Sequence, residues 1–121
     1  MQPYRELTAQ VSSRLGELRA DMPDLLGGFN SMARAATKPG ALDTKSKELI
    51  ALALGVAARC DACIGFHMRA VLHAGASKTE IEEALGMAVY MGGGPSLMYA
   101  ANAMNAYAEF TAAQTAQEPP A

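Results

Sequence analysis

Apolar residues return every three to four positions along most of this chain, and nowhere do they alternate with polar ones for long enough to make a strand. That period places each segment's apolar stripe on one side of a helix, so the chain can bury it only by packing helix on helix. Leu7, Val11, Leu15 and Leu18 mark a first helix over residues 3–20. Pro23, tolerated in a first turn, opens a second that runs through Leu26, Phe29, Met32 or Ala33, and Ala36. "KPGALDT" breaks the pattern, and Asp43 or Thr44 can cap a third helix that carries an apolar run to residue 57. A fourth begins at two cysteines and ends at "HAGAS", where Gly75 suits a left-handed terminating residue. Ser77 and Glu80 stand at capping-box spacing ahead of a fifth, which stops at "GGGP", and "SLMYAANAMNAYAEF" makes the last. The expectation is an all-α, single-domain bundle of about six helices over residues 1–121, with a frayed tail at 115–121.

A chain of 121 residues, half of them hydrophobic and 18% charged, can build one core. A formal net charge of -2 gives no long-range attraction to phosphate backbones or anionic lipid, which argues against nucleic acid and membrane partners. The longest apolar run, "LIALALGVAA", is far below the ~20 residues that cross a bilayer. "MQPYRELTAQ" lacks the apolar centre of a signal peptide, so a cytoplasmic location is expected. Two familiar-looking features read as packing. "GGGPS" follows a helix and has no Lys-Ser/Thr after it, so it is a helix breaker rather than a phosphate loop, and the eight methionines are assigned mostly to core-facing positions.

Chemistry concentrates in "ARCDACIGFH". The chain's two cysteines, Cys60 and Cys63, lie three apart, and His67 follows four further on. On a helix these three share one stripe, with Cys63 about 60° from Cys60 and His67 about 40° beyond. Thiols one turn apart are within reach of a disulfide. At a helix start, with Asp61 as a possible cap, they also face free backbone N–H groups that favour thiolate. His67 can exchange a proton with Cys63, and Glu48 is the candidate to orient the imidazole. In one straight helix Glu48 would sit about 18 Å from Cys60 along the axis, so the chain must bend near "ARCD" to bring it close. Two further readings stay open at this point: inert buried thiols, and a zinc site of Cys60, Cys63, His67 and Glu48, although structural zinc favours more sulfur and a Cys-x-x-Cys on a knuckle. His73, about 120° round the helix from His67, reads as a surface residue.

Glu48, eleven intervening residues, then "CDACIGFH" and "HAGASKTEIEEAL" resemble the carboxymuconolactone decarboxylase family, specifically its alkylhydroperoxidase D-like branch. The resemblance covers about residues 42–104. It implies an all-helical fold, a homo-oligomer (trimer or hexamer), and reduction of hydroperoxides by the cysteine pair with an external dithiol as reductant and no metal, flavin or haem. Carried over, Cys63 is the thiol that attacks peroxide, Cys60 the resolving and more accessible one, and Glu48 with His67 the proton relay. The branch's best-known peroxidases have a second histidine between the cysteines, where this chain has Ala62. The alternatives are a lyase acting on a small carboxylated lactone, with His67 or Glu48 moving protons, and a non-enzymatic zinc-bound or structural helical oligomer. For assembly the sequence offers a stripe of Leu97, Ala101, Met104 and Ala108 on the last helix, expected to be covered by another subunit.

Overall fold

Each expected helix forms, and most begin and end at the residues whose chemistry marks them. The computed structural model describes residues 2–117 and contains α1 (Tyr4–Asp21), α2 (Pro23–Thr37), α3 (Thr44–Ala57), α4 (Asp61–His73), α5 (Lys78–Gly92) and α6 (Gly94–Gln117), with no strand among the described residues. Asp43, rather than Thr44, caps α3 by accepting from the Ser46 backbone N–H at 2.8 Å. Ser77 and Glu80 close a reciprocal capping box on α5, at 3.1 and 2.9 Å. Gly75, at φ 86°, ends α4, and Gly93, at φ 72°, separates α5 from α6. The last helix continues to Gln117, three residues into the segment expected to fray, and residues 118–121 lie outside the described residues.

The helices α3 and α4 are together the centre of the packing: α4 is set against α1, α3 and α6, α3 against α4, α5 and α6, and α5 closes over α3 and α6. Leu52 and Val56 of α3, Ile64, Met68 and Val71 of α4, and Ile81 of α5 are completely buried together. Each contributes roughly 1.5–3 kcal/mol relative to exposure. Ala88 of α5 and Ala100, Ala103 and Ala106 of α6 are buried in the same cluster, small side chains of the kind that let packed helices come close.

Three packing expectations need correction. On α1 the buried residues are Tyr4 and Thr8, whereas Leu7, Val11 and Leu15 are half-buried and Leu18 is exposed. The contacts with α4 that bury α1 residues fall in its first two turns, at Tyr4 and Thr8. The helix α2 buries nothing: it packs chiefly on α1, and Leu25, Phe29 and Met32 are all about 60% exposed. Among the described methionines only Met68 is buried, with Met104 packed beside the core, while Met22, Met32, Met87, Met91 and Met98 face outward. Periodicity marks an apolar stripe but does not say whether a neighbouring helix of the same chain covers it. On α6 the stripe of Leu97, Ala101 and Ala108 is likewise exposed, because the core takes Ala100, Ala103, Ala106 and Phe110 instead.

Candidate functional site

The bend required between Glu48 and His67 lies at residues 58–60. There α3 ends in a Schellman motif: the Cys60 N–H reaches the Gly55 carbonyl at 3.0 Å and the Arg59 N–H reaches that of Val56 at 3.0 Å. Arg59 supplies the left-handed residue, at φ 56°. An L side chain there costs about 1–2 kcal/mol relative to right-handed geometry. The reversal folds α4 back antiparallel onto α3. Gly55 makes the contact close, since a Cβ on it would stand 3.3 Å from the Cys63 Cβ.

Cys60 is the residue that caps α4, where Asp61 was the expected cap. The Cys60 sulfur accepts from the Cys63 backbone N–H at 3.2 Å. Asp61 occupies the first helical position instead, and its Oδ1 accepts from the Tyr4 hydroxyl at 3.0 Å. Burial, aided by the Asp61 carboxylate, pushes the Tyr4 phenol well above its ordinary value, so it stays protonated and donates. Cys60 and Cys63 are joined in a disulfide with Cα atoms 5.2 Å apart, and both residues are half-buried.

Behind the pair, His67 Nδ1 and Glu48 Oε2 are 2.7 Å apart. Glu48 is a buried carboxylate, 8% exposed, and His67 is its hydrogen-bond partner; no buried side-chain N or O atom among the described residues is left without one. A cleft of about 540 Å³, lined also by Lys45, Asp43 and His73, opens on Glu48 from solvent. His73 is exposed, as expected. Glu48 and His67 thus meet across the α3–α4 interface, and Cys63, joined to Cys60, lies one helical turn before His67 on α4. Among the described residues no group of three or more His, Cys, Asp or Glu side chains is arranged to hold a metal ion.

Sequence reasoning missed the support that α1 gives. Tyr4 and Thr8 press on Gly65, where a Cβ would lie 2.6 Å from the Thr8 methyl. Thr8 Oγ1 accepts from the Arg69 guanidinium at 2.9 Å, and that guanidinium lies 5.1 Å from the centre of the Phe110 ring. The first turn of α1 is held in turn by Glu109 of α6, which accepts from the backbone N–H groups of Tyr4 and Arg5, both at 3.0 Å. These partners lie 57 to 105 residues apart, and no local pattern signals them.

Comparison with known proteins agrees with the all-helical fold. Residues 23–106 match the carboxymuconolactone decarboxylase family. A carboxymuconolactone decarboxylase family protein from Legionella pneumophila, solved in its apo form, superposes with a TM-score of 0.87 at 54% identity, covering 88% of this chain and 96% of that one. Another, from Thermotoga maritima and suggested to be involved in an antioxidative response, has a TM-score of 0.82 at 29% identity over 93% of this chain and 96% of its own. An uncharacterized protein of Cupriavidus necator is 37% identical over 95 residues, 78% of this chain and 84% of the relative. With the family match spanning well over half its length and the fold shared over 88% of it, the chain belongs to the carboxymuconolactone decarboxylase family.

Proposed function

We propose that the protein is a dithiol–disulfide oxidoreductase that reduces hydroperoxides. The observation that carries this reading is the 2.7 Å contact between His67 and Glu48, one helical turn behind a cysteine pair already at disulfide separation. With Glu48 ionised, Nδ1 carries the proton in that contact, and Nε2 is left free to accept a proton from the Cys63 thiol. The Cys63 thiolate attacks one peroxide oxygen and the O–O bond breaks, giving a sulfenic acid and an alkoxide that takes the proton back from His67. Cys60 then attacks the sulfenic sulfur, the disulfide forms and water leaves. An external dithiol returns two electrons and two protons. With Ala62 between the cysteines, proton transfer rests on Glu48 and His67, and the cleft that Glu48 lines opens its side of the pair to solvent.

The same reading includes self-assembly in a cytoplasmic setting. Ile50 and Leu54 on α3 and Met87 and Met91 on α5 are all about half or more exposed and line one shallow apolar pocket, a surface of the kind that a second copy covers. No helix among the described residues is long and apolar enough to cross a membrane.

The test is direct. Protein reduced under anaerobic conditions and given one equivalent of hydroperoxide should lose two thiols and two hydrogens within the peptide containing Cys60 and Cys63. Cys63→Ser should consume no peroxide, and Cys60→Ser should stop at a sulfenic acid on Cys63. Thiols that survive excess peroxide would overturn the reading. Turnover of a carboxylated lactone, undiminished when both cysteines are serine, would replace it with lyase chemistry.

A further inference from the structure

Two helices of this fold end in the same backbone motif, but only one of them ends in glycine. At the end of α4, Gly75 holds the left-handed position, with the Ala76 N–H bonded to the Val71 carbonyl and its own to that of Leu72. At the end of α3 the equivalent hydrogen bonds are present, and the left-handed position is held by Arg59. Glycine meets that backbone requirement without strain, and a strained side chain retained beside a reactive group points to a use for the side chain.

The surroundings indicate what the use is. Arg59 directly precedes Cys60, is exposed, and forms no ion pair among the described residues. It is the only lysine or arginine between Lys47 and Arg69. On the other side of Cys60 in the chain stands Asp61, bonded to the Tyr4 phenol of α1, and the Glu48 carboxylate of α3 is paired with His67 of α4. Without Arg59 the charge adjoining Cys60 in the chain would be the Asp61 carboxylate, which repels an incoming thiolate.

We propose that Arg59 is a specificity-determining residue of the reductive half-reaction, holding a positive charge beside Cys60 so that negatively charged thiols are preferred as reductants. The reductant's thiolate forms a bond to the Cys60 sulfur as the Cys60–Cys63 bond breaks, and Cys63 leaves as a thiolate that is then protonated. A second reductant thiol attacks the mixed disulfide and releases Cys60, so two thiols are oxidised to one disulfide as the protein's disulfide is reduced to two thiols. Arg59 acts on the first step, where an anion approaches. The natural reductant is on this basis a dithiol with acidic surroundings. The inference rests on the dithiol chemistry proposed above but needs no peroxide to test it.

The test uses three monothiols of different charge on the oxidised protein: mercaptoethanesulfonate, mercaptoethanol and cysteamine. The reading is the ratio of the rate of disulfide reduction by the anionic thiol to that by the cationic one, each corrected for its thiolate fraction. One charge at roughly 8 Å, acting with opposite sign on the two probes in water, changes that ratio about fivefold. Arg59→Gly should lower the ratio by about that factor in low salt, and Arg59→Lys should restore it. In 0.5 M salt, where screening acts over a distance shorter than ~8 Å, wild type and Arg59→Gly should converge. Arg59→Gly should also raise Tm by a few degrees, because the left-handed strain is gone. An unchanged ratio in Arg59→Gly would overturn the proposal. A lowered ratio with no peroxide turnover in the wild type would leave the proposal standing and remove only the peroxidase reading.

Discussion

Replacing Gly65 with alanine sets two opposed effects against each other, and the structure decides their sign. In the interior of α4 the change gains about 1 kcal/mol of helix propensity. The new Cβ, however, would lie 2.6 Å from the Thr8 Cγ2 and 3.4 Å from the Tyr4 Cδ1. Thr8 cannot rotate away cheaply. It is completely buried, and its hydroxyl both donates to the Tyr4 carbonyl at 2.9 Å and accepts from Arg69 at 2.9 Å. The first turns of α1 must therefore move outward by about 1 Å, and overpacking of this kind costs about 1–3 kcal/mol, with the Tyr4–Asp61 hydrogen bond loosened besides. A net loss of about 1–2 kcal/mol follows, a fall in Tm of roughly 4–8 °C for a chain of this size. Gly16, in the interior of α1 with nothing within 4 Å of an added Cβ, is the control. Gly16→Ala should stabilise by about 0.5–1 kcal/mol. Thr8→Ser, which keeps the hydroxyl and deletes the methyl, should recover part of the Gly65→Ala loss in the double mutant. Thermal melts by circular dichroism on the four variants provide the assay. A Gly65→Ala variant that melts at or above the wild type would refute a tight approach of α1 to α4 at this position.

Glu48→Gln keeps a hydrogen-bonding group beside His67 but removes the charge, so peroxide-driven oxidation of Cys63 should slow by about 10²-fold, at the lower end of what general acid–base catalysis supplies. Stopped-flow traces matching the wild type would exclude the relay. Across α3 and α5, the Lys45 ammonium lies 2.8 Å from the Glu80 carboxylate, holding that carboxyl below its ordinary value and its own pKa above. Glu80 thus contributes stability that is complete above its unfolded value and is lost as pH falls through the lower folded one. Lys45 contributes stability that is complete below its unfolded value and is lost as pH rises through the higher folded one. Lys45→Met should flatten Tm against pH at both ends, and an unaltered acid limb would rule out the coupling. For assembly, light scattering should give a mass well above the 12.7 kDa of one chain, and Ala101→Arg on the exposed face of α6 should lower it along with turnover. A wild-type monomer at micromolar concentration would sink the expectation.

The sequence by itself determined the class of fold and the positions of its helices, because these depend on short-range physics. A 3.6-residue apolar period, Asp43 and the Ser77–Glu80 pair at helix starts, and Gly75 and Gly93 at left-handed ends act within a few residues of where they stand. It also marked Glu48, Cys60, Cys63 and His67, since the last three stand at helical spacing and the spacing to the first resembles a known family's, although Cys60 proves to be the cap rather than a helical residue. The tertiary structure alone decided what those residues meet. The reversal at Arg59 brings Glu48 within 2.7 Å of His67 across nineteen residues, and the docking of α1 draws Asp61 to Tyr4, leaving the cap of α4 to the Cys60 sulfur. It likewise decided which apolar stripes are buried: Leu52 and Ile64 are enclosed, while Phe29, Leu54 and Met91 are not. An apolar residue is buried only where another helix arrives, and which helix arrives is settled by the packing of the whole chain rather than by the residues on either side.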